Sequence, residues 1–171
     1  PLKGTTITFW HSMGGVNGEA LDYLVNRFNT ENTFGIQVDA QYQGEYDDAI
    51  NKLKSAQIGN MGADLVQIYD IGTRFMIDSG WVVPMQELID GDGWDKSVIE
   101  PNIAAYYTVD EKLYSMPFNS STPLLYYNKD MFEKAGISKV PESLGEIADA
   151  ADALVQKGGA GEPISLGIYG W

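Results

Sequence analysis

Aromatic, hydroxyl, amide and carboxylate side chains follow the short apolar stretches of this sequence. Trp10-His11-Ser12 follows the first stretch and Tyr69-Asp70 follows the third. The other such groups are residues 42–46, the polar run from Asn119 to Thr122 with Ser121 inside it, and Trp171 at the end of the sequence. Aromatic rings cover the C–H faces of a small polyol, while carboxylates, hydroxyls and amides bond to its OH groups. The residue types therefore favour binding of a small polyol.

Each of these groups also has a purely structural interpretation. Aromatic residues at strand ends usually belong to the core or its rim. The run Asn-Ser-Ser-Thr between two prolines is built from the residues that turns prefer. Asp70 could simply cap a helix that starts near Thr73. His11 and Ser12 are adjacent in an extended segment and point to opposite faces, so they do not form a catalytic pair.

Catalytic and metal-binding patterns are not evident in the sequence. There is no cysteine and one histidine, and no nucleophile elbow, phosphate loop or zinc pattern is present. Residues 90–95, Asp-Gly-Asp-Gly-Trp-Asp, resemble part of a calcium loop but lack the distal glutamate at the required spacing. We therefore predict a protein that is not an enzyme and that uses neither a metal ion nor a cofactor.

The charge balance restricts the possible partners. The net charge is −13, from 24 acidic and 11 basic residues. This balance argues against nucleic acid, which requires neutralisation of phosphates, and against anionic lipid. No apolar run is long enough for a membrane-spanning helix, and no signal peptide is visible. We expect either a cytosolic protein or an exported one from which the signal segment has been removed.

Strands and helices alternate in the first part of the chain. The predicted strands are residues 6–10, 36–40 and 64–69, and the intervening helices are residues 18–31 and 47–58. Leu21, Leu24, Val25 and Phe28 should form the buried face of the first helix, and Ala49, Ile50 and Leu53 that of the second. The order βαβαβ predicts a mostly parallel sheet with flanking helices, an α/β fold. Ligands bind such sheets at the carboxyl ends of the strands, where the polar groups above lie.

Shorter elements are predicted for the rest of the chain. The strand and loop predictions are an extended segment at 82–85, an acidic loop at 90–95, and strands at 113–116, 124–127 and 164–169. Short helices are expected over 72–79 and 129–135, the second capped by Asn128 and ended by Gly136. Ser143 and Glu146 form a predicted capping box before a last helix, whose apolar face includes Ile147, Ala148, Ala151, Leu154 and Val155. A strand directly before Trp171 suggests that the sequence is part of something longer.

Four sequence segments together resemble a known family. They are ITFWHSMGG, YQGEYDDAI, ADLVQIYDIGT and PFNSSTPLLYYNKDMFEKAG. They are similar to the extracellular solute-binding proteins of ABC importers, in particular the branch that binds carbohydrates and glycerol phosphates. The resemblance runs along the whole chain but covers only about the first two-fifths of a usual member. It implies a type II periplasmic-binding-protein fold, with residues 1–123 as the first lobe, 124–128 as the crossover and 129–171 as the start of the second lobe.

The resemblance also implies a set of ligand-binding residues. Glycerol-phosphate binders use residues that match Tyr46, Asp70, Ser121 and Trp171, and the strand-end positions add Trp10, His11 and Asn119 as further candidates. Asp70 departs from the family, because the best-known members have glutamate there. Its shorter arm would leave room for a bulkier polyol or a phosphodiester head group. We expect Asp70 to face the ligand's hydroxyls, because two anions in a desolvated cleft repel each other.

The implied function is capture of glycerol 3-phosphate or a glycerophosphodiester in a cleft between two lobes, followed by delivery to the transmembrane subunits of an ABC permease. An oligosaccharide-binding protein of the same family is the alternative, and a hydrolase of sugar phosphates or glycosides is a distant one. The family implies a periplasmic or cell-surface location, and a lipid anchor on the unprocessed chain is an option. We also expect residues 1–171 alone to bind ligand poorly, because ligand contacts in the family come from both lobes.

Overall fold

A computed structural model describes residues 4–59, 61–120, 124–157 and 168–169. The chain divides into two compact units, Pro1–Phe118 and Asn119–Trp171. No helix in the described parts of the chain combines the length and apolar character that crossing a membrane requires.

A three-stranded parallel sheet organises the first unit. Strands β1 (Thr6–His11), β2 (Gln37–Tyr42) and β3 (Leu65–Val66) lie in the order β2-β1-β3. Helix α1 (Gly15–Glu31) connects β1 to β2, and helix α2 (Tyr46–Ile58) connects β2 to β3. The predicted βαβαβ order is therefore confirmed. Because the chain places β2 on one side of β1 and β3 on the other, the carboxyl ends of these strands flank a topological switch point.

Helix α1 buries less of its apolar face than the sequence predicts, whereas α2 buries its predicted face. Leu21 packs with Phe9 of β1 and with Met13, which follows β1, and Val25 lies against this cluster. Leu24 and Phe28 remain exposed, so the prediction of their burial is wrong. The apolar stripe of α1 extends beyond the part of the helix that faces the described strands. In α2, Ala49, Ile50 and Leu53 are all buried, as predicted.

The third strand is much shorter than the six residues predicted. Only Leu65–Val66 pairs with β1, and a 3-10 turn at Asp70–Gly72 leads into helix α3 (Thr73–Ser79). Gly72 is buried, and a Cβ atom there would lie 2.6 Å from Cγ2 of Ile68. Only glycine fits this close approach, so Gly72 allows the chain to turn immediately after Asp70.

Helix α4 (Met85–Asp92) takes in the last residue of the extended segment predicted at 82–85 and the first half of the acidic loop predicted at 90–95, so both predictions are wrong in those parts. Pro84 precedes its first residue, and Gly93 ends it with a left-handed φ of 69° and an N–H bond to the carbonyl of Ile89. Proline and glycine in these flanking positions indicate a helix, and the sequence interpretation gave more weight to the acidic and glycine residues inside it. Within the described residues, no group of three or more His, Asp or Glu side chains is placed to hold a metal ion.

A short helix and a hairpin complete the first unit. Helix α5 (Pro101–Tyr106) leads into strands β4 (Thr108–Val109) and β5 (Lys112–Leu113), which pair antiparallel. The two residues between them, Asp110 and Glu111, have φ values of 48° and 64°, as a two-residue hairpin turn requires. The predicted strand at 113–116 is thus shortened to its first residue and extended backwards to Lys112.

The second unit is built on two helices. Helix α6 (Lys129–Ala135) begins at Asn128, whose side chain accepts a bond from the Met131 N–H, and ends at Gly136 with φ 75°, as predicted. Before helix α7 (Leu144–Lys157), the Glu146 N–H donates to the Ser143 hydroxyl, but the Glu146 carboxylate accepts from the Glu142 N–H, so only half of the predicted capping box forms.

The core of the second unit lies between these helices. Phe132, Ala135, Ala150 and Leu154 are buried together. Ala148 and Val155 are exposed, so the predicted apolar face of α7 is wrong at these two positions because the helix is rotated towards Ala150. Strand β6 (Leu124–Leu125) pairs antiparallel with β7 (Ile168–Tyr169). The remaining residues of the predicted strand, 164–167, lie outside the described residues.

Candidate functional site

Tyr46 and Asp70 lie at the carboxyl end of the parallel sheet. Tyr46 is the first residue of α2, which follows β2, and Asp70 opens the 3-10 turn after β3. The Tyr46 ring stacks on the ring of Tyr69, with centroids 5.4 Å apart and an interplanar angle of 9°. Because Tyr69 directly precedes Asp70, this stack brings together two residues that the sequence predicted to act on one ligand.

A hydrogen bond also links Tyr69, which follows β3, to the first turn of α2. Its hydroxyl donates to Oδ1 of Asp47 over 2.9 Å. This hydrogen bond raises the pKa of Tyr69 above its ordinary value, and burial and the charges of Asp47 and Asp70 add to the effect. Tyr69 therefore stays protonated at neutral pH and holds the start of α2 against the turn after β3. The sequence placed Tyr69 at a strand end but gave no sign of this connecting role.

The Asp70 carboxylate is held by two donors. Its Oδ1 accepts from the Ile71 N–H over 2.9 Å, and its Oδ2 accepts from the Tyr106 hydroxyl over 3.2 Å. Tyr106 ends helix α5, and its pKa is raised by the bond to Asp70 and by the Asp70 charge. The carboxylate itself is exposed, so a ligand can reach it. Sequence reasoning missed Tyr106, because nothing local marks a tyrosine 36 residues away as a partner.

Trp10 and His11 end the central strand. The Trp10 indole N–H donates to Oε1 of Gln41 on the neighbouring strand over 3.1 Å. His11 is buried, its ring contacts those of Phe9 and Tyr42, and its Nδ1 accepts from the Met13 N–H over 3.3 Å. These contacts tie both side chains to the sheet.

The residue after His11 joins two strand ends. The Ser12 N–H donates to Oε1 of Gln67 over 3.0 Å, which connects the end of β1 to the segment after β3. The Ser12 hydroxyl is buried and makes no hydrogen bond with the described residues. The sheet end is therefore braced by side chains on both sides of β1.

We expect His11, the only histidine, to titrate below its ordinary pKa in the 171-residue chain. Burial lowers the pKa of His11, and the charge of Asp22 partly offsets this. The unfolded chain then binds the proton more readily than the folded chain. The free energy of unfolding should therefore fall as the pH drops below the unfolded value and through the folded pKa. NMR of the imidazole Cε1–H signal measures the folded value directly.

The Asp22→Asn variant gives the matched control for this titration. Removing the Asp22 charge should lower the pKa of His11 further, since that charge is the opposing influence. A folded pKa at or above the ordinary histidine value would contradict burial as the dominant cause.

Three predicted site residues lie outside the described part of the first unit. Asn119 belongs to the second unit. Ser121 and Trp171 lie outside the described residues, so their roles stay predictions.

The described cluster is rich in acceptors. Asp47 and Asp70 supply carboxylates, and the nearby Arg74 of α3 is engaged by Asp78, with Nη2 and Oδ1 2.8 Å apart. Carboxylates bind hydroxyl groups well and repel a phosphate. The chemistry of this part of the site therefore suits the hydroxyl end of a ligand.

Comparison with known proteins identifies the family. Residues 14–171 match the profile of the family described as bacterial extracellular solute-binding protein. The sn-glycerol-3-phosphate-binding periplasmic protein UgpB of Salmonella typhimurium is 39% identical over 178 residues, which cover 99% of this chain and 40% of that protein. The chain thus spans about two-fifths of the length of the curated relatives it matches.

Solved structures show the same fold. UgpB from Mycobacterium tuberculosis in complex with glycerophosphocholine superposes with a TM-score of 0.76 and 28% identity, over 92% of this chain and 41% of that one. The sugar-binding protein MalE from Xanthomonas citri gives a TM-score of 0.74 and 28% identity, over 91% and 38%. The predicted α/β fold of the type II periplasmic binding proteins is confirmed. The chain belongs to the bacterial extracellular solute-binding protein family.

Proposed function

We propose that this chain is the N-terminal part of the substrate-binding component of an ABC importer that captures glycerol 3-phosphate or a glycerophosphodiester. The observation that carries the proposal is the Asp70 carboxylate, fixed by two donors and set beside the Tyr46–Tyr69 stack. An exposed carboxylate with defined orientation is an acceptor for the hydroxyls of a glycerol unit. The relatives at 39% identity, which carry glycerol 3-phosphate in their name, support the same ligand.

Each site residue has a proposed role. Asp70 accepts hydrogen bonds from the glycerol hydroxyls, and Tyr46 and Ser121 add further polar contacts. Trp171 covers the carbon face of the ligand. Trp10 and Asn119 are proposed as further ligand contacts, whereas His11, which is buried, supports the sheet end. Phosphate recognition is assigned to groups away from Asp70, because Asp70 and phosphate repel each other.

The proposed chain organisation is the one that the family resemblance implies. Residues 1–123 form the first lobe, 124–128 the crossover, and 129–171 the start of the second lobe. The boundary between the two compact units, after Phe118, supports a division in this region. By analogy with the periplasmic relatives, the protein is exported, to the periplasm or the cell surface, and passes its ligand to permease transmembrane subunits without inserting into the membrane itself.

An oligosaccharide-binding protein is the second candidate, since the MalE structure is almost as similar. Calorimetry of the full-length protein separates the two. We expect glycerol 3-phosphate and glycerophosphocholine to bind, and maltose to give no heat of binding. Glycerol and inorganic phosphate serve as controls, since each carries only part of the ligand's chemistry. Binding of maltose without any response to the glycerol phosphates would overturn the proposal.

The same samples test for enzymatic activity. We expect glycerol 3-phosphate and glycerophosphocholine to be recovered unchanged after prolonged incubation with the protein. Release of phosphate or choline that disappears in the Asp70→Ala variant would favour the hydrolase alternative.

A further inference from the structure

Tyr106 contacts the candidate site from helix α5, and no residue of this helix was predicted to bind the ligand. It is the last residue of α5, and its hydroxyl lies 3.2 Å from Oδ2 of Asp70, 36 residues earlier in the chain. We propose that Tyr106 is a positioning residue for Asp70: it fixes the orientation of the carboxylate that receives the ligand's hydroxyls, and thereby contributes to selection of a polyol. This proposal rests on the proposed function and adds α5 to the binding machinery.

The number of acceptor sites on Asp70 makes this role workable. A carboxylate has about four lone-pair sites, two on each oxygen. Ile71 occupies one site on Oδ1 and Tyr106 one site on Oδ2. Both oxygens therefore keep one acceptor site for a ligand hydroxyl, and the two bonds already present decide where those sites point.

Without Tyr106, only one of the two oxygens would be held. The terminal torsion of an aspartate side chain is broad and has no sharp preferred value. A hydrogen bond to the Ile71 N–H alone restricts the torsion of the planar carboxylate group less than two hydrogen bonds do, and the position of Oδ2 is then less well defined. Ordering that oxygen would then be a cost of ligand binding, and a carboxylate that is already oriented avoids this cost.

The backbone that carries Tyr106 is anchored although the ring is exposed. The carbonyl of Tyr107 accepts from the Tyr114 N–H over 3.1 Å, and the Thr108 hydroxyl donates to the Ala104 carbonyl over 2.7 Å. The Tyr106 ring also meets the ring of Tyr107 edge-on, with centroids 5.1 Å apart. These contacts hold the backbone at the junction of α5 and the hairpin, and they thereby define the position from which the Tyr106 hydroxyl donates to Asp70.

The phenol is also in the right state to donate. The bond to Asp70 and the negative charge of Asp70 raise the pKa of Tyr106, so it keeps its proton across the neutral range. The second tyrosine–aspartate pair of the site, Tyr69 and Asp47, acts on a different feature, because Tyr69 stacks on Tyr46. The two pairs therefore organise the aromatic and the carboxylate parts of the site separately.

The Tyr106→Phe variant of the full-length protein tests the proposal, because it removes one hydroxyl and keeps the ring. We expect its Kd for glycerol 3-phosphate to rise about 5- to 10-fold, less than the loss of a direct hydrogen bond to a charged group would cause, because Tyr106 acts on the ligand only through Asp70. In an Asp70→Asn background the same substitution should change the Kd by less than about 2-fold, since residues that act through each other are not additive. Tyr23→Phe, on an equally exposed tyrosine of α1, is the matched control and should leave the Kd unchanged.

A second readout reports on the tyrosine–aspartate bond without ligand. NMR of ring-labelled tyrosine, assigned from the signal that Tyr106→Phe removes, should show the pKa of Tyr106 falling towards its ordinary value in the Asp70→Asn variant. A merely structural role of the ring would not produce this shift.

The possible outcomes distinguish a failure of the role of Tyr106 from a failure of the proposed function. Tight wild-type binding of glycerol 3-phosphate with an unchanged Kd in Tyr106→Phe overturns the role of Tyr106 and leaves the proposed function standing. The role of Tyr106 is also overturned if the effects of Tyr106→Phe and Asp70→Asn on the Kd are additive, or if the pKa of Tyr106 is the same in the Asp70→Asn variant as in the wild type. Failure of the wild-type protein to bind any glycerol phosphate overturns the proposed function and the role of Tyr106 with it.

Discussion

Replacing Asp70 with alanine in the full-length protein is expected to weaken glycerol 3-phosphate binding by about 100-fold. Each hydrogen bond between a ligand hydroxyl and a carboxylate is worth ~1.5–3 kcal/mol, and about 1.4 kcal/mol corresponds to tenfold in affinity. The substitution also leaves the Tyr106 hydroxyl and the Ile71 N–H without the acceptor that they share. Calorimetry gives the Kd, and far-UV circular dichroism checks that the fold is kept.

Two further substitutions at this position separate charge from geometry. Asp70→Asn keeps an acceptor oxygen but removes the charge, so we expect about a tenfold loss. Asp70→Glu keeps the charge on a longer arm, which would occupy the room left for a bulky head group. We therefore expect Asp70→Glu to weaken glycerophosphocholine binding more than glycerol 3-phosphate binding.

The control for Asp70 addresses long-range electrostatics. Asp92→Asn changes the net charge by the same amount at an exposed position on α4, outside the site. Its Kd should match the wild-type value, because Asp92 is not among the residues assigned to the site and the field of an exposed charge is weakened by salt. Wild-type affinity in Asp70→Ala, or an equal loss in Asp92→Asn, would contradict the direct role of Asp70.

The long periodic segments of the first unit could be predicted because their own residues carry the signal. The face formed by Ala49, Ile50 and Leu53 identified α2, and the strand pattern of residues 6–10 identified β1. Element ends were harder, because tertiary contacts decide them. Strand β3 ends at Val66, and the turn at Gly72 that follows depends on Ile68 and Ile50 lying close to a residue without a Cβ atom.

The candidate site was predictable in its parts but not in its connections. Tyr46 and Asp70 follow strands and match family positions, so the sequence pointed to both. The roles of Tyr69 and Tyr106 come from hydrogen bonds to Asp47 and Asp70 across 22 and 36 residues of chain. Contacts at such separations depend on the complete fold, and a single sequence holds no local trace of them.

The sequence allowed two interpretations of His11, as a ligand contact and as a core residue, and its burial favours the second. Its position at a strand end suggested ligand contact, yet the ring contacts Phe9 and Tyr42 and accepts a hydrogen bond from the Met13 N–H. Such a residue supports the sheet end on which the exposed groups stand. Substitutions of His11 should therefore be interpreted together with a stability measurement.

Residues 1–171 expressed alone are expected to bind glycerol 3-phosphate at least about a thousandfold more weakly than the full-length protein. The chain covers about two-fifths of its relatives' length, and the resemblance assigns the remaining ligand contacts to the rest of the binding protein. Losing three such hydrogen bonds at ~1.5 kcal/mol each corresponds to roughly this factor.

Solvent exposure of the described site adds to this loss. Tyr106 is 61% exposed and Tyr46 is 36% exposed, so the bonds that remain compete with water and contribute only ~0.5–1.5 kcal/mol each. A few such bonds hardly exceed the ~4–15 kcal/mol of freedom lost on association. The His11 imidazole signal and the circular dichroism spectrum serve as the control that the chain is folded when it fails to bind.

Titration at two concentrations of the 171-residue chain distinguishes the ways in which this expectation could fail. Micromolar binding that is the same at both concentrations would mean that the first unit and the start of the second hold a complete site. Binding that strengthens with protein concentration, together with a larger mass in sedimentation, would mean that two chains assemble a cleft. In either case Asp70→Ala should weaken the binding about 100-fold, because Asp70 is the carboxylate that receives the ligand's hydroxyls.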